Sequence, residues 1–162
     1  MQVFLVRHAE AIDETVEVRD GSRYLTLAGR DQARALGDRM RWHDCGPTHA
    51  FTSPLVRAVQ TAEMVLFAMD SKTQLQAMPH LVPDGNARGV VAAISGLPDD
   101  AEVLLCGHEP LLSAIGAVLT RSATFGMLAK AECVRIDGDR VRWRFKWDAE
   151  APKIRPSRPA LT

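Results

Sequence analysis

Three times this chain passes from a short apolar run into polar residues and then into a helical pattern. Val3-Phe4-Leu5-Val6 leads to Arg7-His8, "THAFTS" leads to Pro54, and Val103-Leu104-Leu105-Cys106 leads to Gly107-His108-Glu109-Pro110. Apolar runs of this length bounded by turn signals read as buried strands. Strands that alternate with amphipathic helices require a mainly parallel sheet covered on both faces. The arrangement therefore predicts an α/β fold, a three-layer sandwich.

The rest of the chain fills in that plan. Residues 2–6 form the first strand, and residues 9–25 are polar and aperiodic, a long loop of the kind that carries function. Thr26 reads as the N-cap of a helix containing Ala33, Leu36 and Met40, which Gly46-Pro47 ends. After the second strand, Leu55, Val59, Ala62, Leu66 and Met69 form an apolar stripe of helical period, with Ser53 as N-cap and Pro54 at the first helical position. Residues 73–77 are a third strand, Pro79 to Gly89 a loop, and residues 90–95 a short helix. Pro110 opens a helix with Leu111, Leu112, Ile115, Val118 and Leu119 inside. The C-terminal part departs from the pattern. Asp137-Gly138-Asp139 is a tight-turn signal, so the flanking residues form an antiparallel hairpin. In its second arm Val141, Trp143, Phe145 and Trp147 face the core and Arg142, Arg144 and Lys146 face solvent. The predicted order is β-α-β-α-β-α-β-α-β-β in one domain over residues 1–150, followed by an irregular Pro-rich tail at 151–162.

Composition excludes several functions. Twenty basic and twenty acidic residues cancel, so bulk charge gives no nucleic-acid footing. No apolar stretch approaches the ~20 residues of a membrane span. The apolar start is too short for a secretion signal. Cys45, Cys106 and Cys133 lack CxxC spacing and read as reduced thiols, Cys106 as a small buried hydrophobe, so a soluble cytoplasmic protein is expected.

Parallel strands place their carboxyl ends on one sheet edge, where ligands bind in such folds. Arg7, His8, Arg57 in the first turn of its helix, and His108 then meet two helix N-termini. Free N–H groups and about half a positive charge at each helix start complete a site for a compact anion such as phosphate. Taken singly, Arg57 reads as a solvated cation and His108 as a hydrogen-bonded edge residue; the three matching strand ends give them a joint meaning. His43, His49 and His80 have no such company and read as structural. Neither an HExxH pair nor a Cys/His cluster is present, so no metal and no cofactor is expected.

These residues resemble the histidine phosphatase superfamily, whose hallmark is Arg-His-Gly after the first strand. Here it reads Arg7-His8-Ala9, and "QVFLVRHAEA" is close to the SixA-type phosphohistidine phosphatases. The likeness continues through "LTLAGRDQARALG", "SPLVRAVQTAE" and "LLCGHEP", from Met1 to about residue 120. It implies a phosphoglycerate mutase-like fold, a histidine phosphatase domain over 1–150, His8 as the phosphorylated nucleophile, and Arg7, Arg57 and His108 as the clamp on the phosphoryl group. A nucleophilic imidazole must be neutral, and at pH 7 a free histidine is already roughly three-quarters neutral. The neighbouring arginines disfavour its protonation further. His108 is expected to act as an imidazolium.

Larger members of the superfamily carry an acid, usually Glu, that protonates an alkoxide leaving group. The corresponding stretch here offers only Asp84, beside a turn, with Glu10 and Glu109 as other candidates. A missing acid suits phosphohistidine, whose imidazole leaves as a neutral base. The expected substrate is thus a phosphohistidine on a histidine-containing phosphotransfer or kinase domain, met by an open site. The loop 9–25, with Asp20 and Arg23, is expected to rim the pocket and contact that partner. The alternatives are a small-molecule phosphomonoesterase or mutase on the same scaffold, and a non-enzymatic phosphate-binding module.

Overall fold

The computed structural model describes residues 1–150; the tail expected at 151–162 lies outside the described residues. Six strands, β1 (Gln2–Arg7), β2 (His49–Thr52), β3 (Leu75–Ala77), β4 (Glu102–Gly107), β5 (Glu132–Asp137) and β6 (Arg140–Lys146), form one sheet in the order β3-β2-β4-β1-β5-β6. β3, β2, β4 and β1 run parallel, while β5 and β6 form the antiparallel hairpin beside β1. Gly138 takes a positive φ of 60° in the hairpin turn, a conformation free of Cβ conflict only for glycine.

Four helices connect the strands: α1 (Leu27–Trp42), α2 (Val56–Ala68), α3 (Ala87–Ile94) and α4 (Leu111–Thr120). The two-residue period of the central strands divides the core. Phe4, Val6, Leu104 and Cys106 pack with Ala33, Leu36 and Met40 of α1 and Ala62, Val65 and Leu66 of α2. Val3, Leu5, Val103 and Leu105 pack with Val90 and Ile94 of α3 and Leu112 and Ile115 of α4. Both sheet faces are covered, and full burial of each Val or Leu contributes about 1.5–3 kcal/mol. No helix among the described residues is long and apolar enough to cross a membrane.

Three local expectations are corrected. α2 begins two residues later than predicted, with Leu55 at its N-cap; the Ser53 hydroxyl accepts from the Leu55 amide at 3.3 Å and meets His108 Nε2 at 2.8 Å, ahead of the helix. α3 starts at Ala87, three residues early, because Asn86 accepts from the Gly89 amide and caps it there. The apolar alternation of β6 breaks at a bulge, where Arg135 pairs with Trp143 but Ile136 pairs with Val141. Trp143, Phe145 and Trp147 stay on the α1–α2 side, whereas Val141 is 46% exposed beyond the bulge. His43 confirms its structural reading by stacking on Phe145, with ring centroids 4.6 Å apart.

Arg144 is not merely solvated. It pairs with the buried carboxylate of Glu132 and donates to the carbonyls of Gly126 and Met127, fixing the segment that leads into β5. Arg142 and Lys146 make looser ion pairs, 3.4 Å to Asp137 and 3.6 Å to Asp148.

Candidate active site

Strand register brings the predicted residues together. β4 lies between β1 and β2, with Arg7 opposite Gly107 and Thr52 opposite Cys106. The next residues continue the ladder: the His8 amide donates to the Gly107 carbonyl at 3.0 Å, and the Ser53 amide to the Cys106 carbonyl at 2.9 Å. His8 and His108 therefore end neighbouring strands at one level, their ring centroids 5.0 Å apart. Arg57 is the second residue of α2, which starts at the same edge.

Each side chain is held by a specific partner. His8 Nδ1 lies 2.7 Å from the Ala9 carbonyl, which can only accept, so Nδ1 carries the proton. The lone pair of the neutral ring is then on Nε2. Arg7 donates from Nη1 to the Leu128 carbonyl at 2.7 Å, and the Leu128 amide donates to Glu109 Oε1 at 2.8 Å. Thr61 accepts from the Ala9 amide at 3.0 Å and donates to the Arg57 carbonyl at 2.7 Å, joining the loop after β1 to α2. His108 Nε2 is 2.8 Å from the Ser53 hydroxyl.

Arg57 meets the loop 9–25. Its Nη1 donates to the Asp20 carbonyl at 2.7 Å and its Nη2 to Asp20 Oδ2 at 3.2 Å. An antiparallel bridge between Ala11 and Leu25 closes the ends of this loop, and Asp20 begins a 3-10 turn, Asp20–Ser22. Asp20 and Arg23 thus border the site as expected, with Asp20 in direct contact with a site cation.

Three buried side-chain nitrogens have no hydrogen-bond partner among the described residues: Arg7 Nε, Arg57 Nε and His108 Nδ1. Buried polar atoms are rarely left so. All three belong to the predicted constellation. No group of three or more His, Cys, Asp or Glu among the described residues could hold a metal ion.

Electrostatics set the protonation states. Burial, helped by the charges of Arg57 and Arg7, lowers the His8 pKa to about 4 against the opposing Ala9 hydrogen bond. Burial, then His8 and Arg57, lowers that of His108 to about 3. His108 is consequently neutral near pH 7, contrary to the expected imidazolium, because desolvation and neighbouring cations both oppose a second positive charge. Burial alone would raise the Asp20 carboxyl, but hydrogen bonds and charge from Arg23 and Arg57 hold it below its usual range, so it is ionised.

The candidate leaving-group acids are occupied or distant in role. Glu10 accepts from the Thr26 hydroxyl at 2.7 Å. Glu109 accepts from Ser113 Oγ at 2.6 Å as well as from Leu128. Asp84 is an exposed turn residue. Sequence reasoning did not single out Thr61 or the Leu128 carbonyl. Thr61 carried one usable signal, its position one helical turn after Arg57 on the same face.

Comparison with known proteins agrees with the geometry. The family model of the histidine phosphatase superfamily (branch 1) matches residues 3–82. Phosphohistidine phosphatase SixA of Escherichia coli (strain K12) is 30% identical over 150 residues, 91% of this chain and 92% of that protein. A solved structure of the protein histidine phosphatase SixA complexed with tungstate superposes with a TM-score of 0.83 at 27% identity, covering 91% of this chain and 97% of that one. The fold is shared more widely: a mycobacterial glucosyl-3-phosphoglycerate phosphatase in complex with inorganic phosphate gives a TM-score of 0.66 at 18% identity, over 93% of this chain and 98% of that one. With an imidazole just after β1, its facing imidazole just after β4 and an arginine in the first turn of α2, the chain belongs to the histidine phosphatase superfamily.

Proposed function

We propose that the protein is a phosphatase that receives a phosphoryl group on His8 and passes it to water, and that its donor is a phosphohistidine on a phosphotransfer or kinase domain of another protein. The observation that carries this reading is the pairing of a neutral His8, its Nδ1 proton committed to Ala9, with unpartnered nitrogens of Arg7, Arg57 and His108. The Nε2 lone pair attacks phosphorus in line with the leaving group. Phosphoryl transfer needs little covalent help beyond the nucleophile; it needs charge placed on the equatorial oxygens. The two guanidinium Nε–H groups supply that charge. The incoming dianion also raises the pKa of His108, which then gives a further donor. Water afterwards takes the phosphoryl group from His8, releasing phosphate and restoring the neutral ring.

The SixA relative supports a phosphohistidine donor, as does the engagement of the candidate acids Glu10 and Glu109 in hydrogen bonds to Thr26 and Leu128. No cofactor enters the scheme. Three buried cysteines that form no disulfide among the described residues fit the cytoplasmic setting such a partner implies. His8→Ala is expected to abolish both turnover of phosphohistidine proteins and acid-labile labelling of the enzyme in a rapid-quench experiment. Labelling that survives in the variant overturns the nucleophile. Hydrolysis confined to sugar or glycerate phosphates overturns the donor.

A further inference from the structure

Asp20 stands where an anion site has no evident use for it. Its side chain is 48% exposed and lies against an Arg57 side chain only 4% exposed. Arg57 commits Nη1 and Nη2 to Asp20, leaving Nε without a partner. Arg23 holds the other carboxylate oxygen at 3.0 Å and is itself fixed by the Ile12 carbonyl at 2.7 Å. The negative charge is therefore pinned beside the phosphoryl-binding groups, and it is felt at His108 as well. A fixed carboxylate repels a phosphate and competes for Arg57. It becomes useful when the substrate is anionic at phosphorus and cationic in its leaving group.

A phosphorylated imidazole has that charge pattern, since it can hold a proton on the ring nitrogen not bonded to phosphorus. We propose that Asp20 is a specificity-determining residue that faces the protonated ring of the bound phosphorylated imidazole and compensates its charge, so that the site prefers phosphoryl groups carried on nitrogen to those carried on oxygen. The inference rests on the reaction proposed above. In that step the His8 Nε2 lone pair forms a new P–N bond while the donor P–N bond breaks. The electron pair of the broken bond goes to the departing ring nitrogen. The departing ring keeps the proton already on its other nitrogen and leaves as neutral imidazole. No separate acid is consumed, and the carboxylate favours the protonated ring that can depart in this way. An alcohol or phenol phosphate instead develops negative charge on its leaving oxygen, which the same carboxylate opposes.

The test compares kcat/KM of wild type, Asp20→Asn and Asp20→Glu on N-phosphoimidazole and on 4-nitrophenyl phosphate, with the Kd for inorganic phosphate measured alongside. Asp20→Asn is expected to lower the phosphoramidate-to-monoester ratio about tenfold, the effect of one pKa unit on the leaving ring. Phosphate should bind it at least as tightly as wild type. Asp20→Glu, which keeps the charge, should retain most of the preference. An equal fall on both substrates, or a loss of phosphate binding in both variants, makes Asp20 only a positioning residue for Arg57 and overturns the inference. Wild type that cleaves the monoester but not the phosphoramidate overturns the proposed reaction itself, an outcome read without any variant.

Discussion

A histidine can serve as a phosphoryl acceptor here because its surroundings remove the competing proton. Burial and two arginines keep His8 neutral, and one short hydrogen bond to the Ala9 carbonyl fixes which nitrogen stays free. In the proposed reaction the same arginines bind the incoming anion, so one pair of charges would both free the nucleophile and receive the phosphoryl group. Arg57 is the more exacting of the two in that proposal, since its Nη atoms are already held and only Nε lacks a partner among the described residues. Arg57→Ala is expected to lower kcat by about 10²–10³, in line with removing one preorganised donor to a developing anion. Single-turnover measurement checks this, and a fall smaller than about fivefold contradicts the role.

At the scale of elements, the site depends on how closely α1 approaches the loop after His8. A Cβ added at Gly29 would lie 1.9 Å from the Glu10 carbonyl oxygen, so the first turn of α1 needs a glycine there. Gly29→Ala is expected to cost about 1–3 kcal/mol as overpacking against rigid backbone. Denaturant unfolding reads that loss; a variant as stable as wild type would show that the loop gives way freely. The strands and helices that make this geometry were legible in the sequence wherever periodicity decides. The apolar runs ending at Arg7, Thr52 and Gly107 predicted parallel strands with their ends on one edge, and the stripe from Leu55 to Met69 predicted α2. What escaped is set by contacts between distant residues. Ser53 has the chemistry of a cap, but the helix starts two residues later, and its hydroxyl is shared between the Leu55 amide and His108. Val141 fits an alternating strand until the bulge turns it aside. Arg144 looks like a solvated cation until Glu132 and the carbonyls of Gly126 and Met127 are seen around it.

For the molecule as a whole, two buried neutral histidines link stability to pH. Their folded pKa values of about 4 and about 3 lie below the ordinary 6.5, so protons favour the unfolded chain. Their contribution is fully present above pH 6.5 and is lost as pH falls towards 4, at up to about 1.4 kcal/mol per unit for each ring. Inorganic phosphate is expected to raise the midpoint of unfolding by mass action and to flatten this loss, because a bound anion raises both pKa values. Urea unfolding between pH 7 and 5, with and without phosphate, measures both effects. An unchanged slope in a variant lacking both rings contradicts the linkage. The placement of Asp20 has a longer-range consequence. The groups proposed to handle the phosphoryl group grow from β1, β4 and the start of α2, each packed into the core, whereas Asp20 and Arg23 sit on a connection closed by the Ala11–Leu25 bridge and tied to α2 through Arg57. Substitutions inside that connection that leave Arg57 held can retune which leaving group is welcome, so selectivity and chemistry in this scaffold can evolve apart.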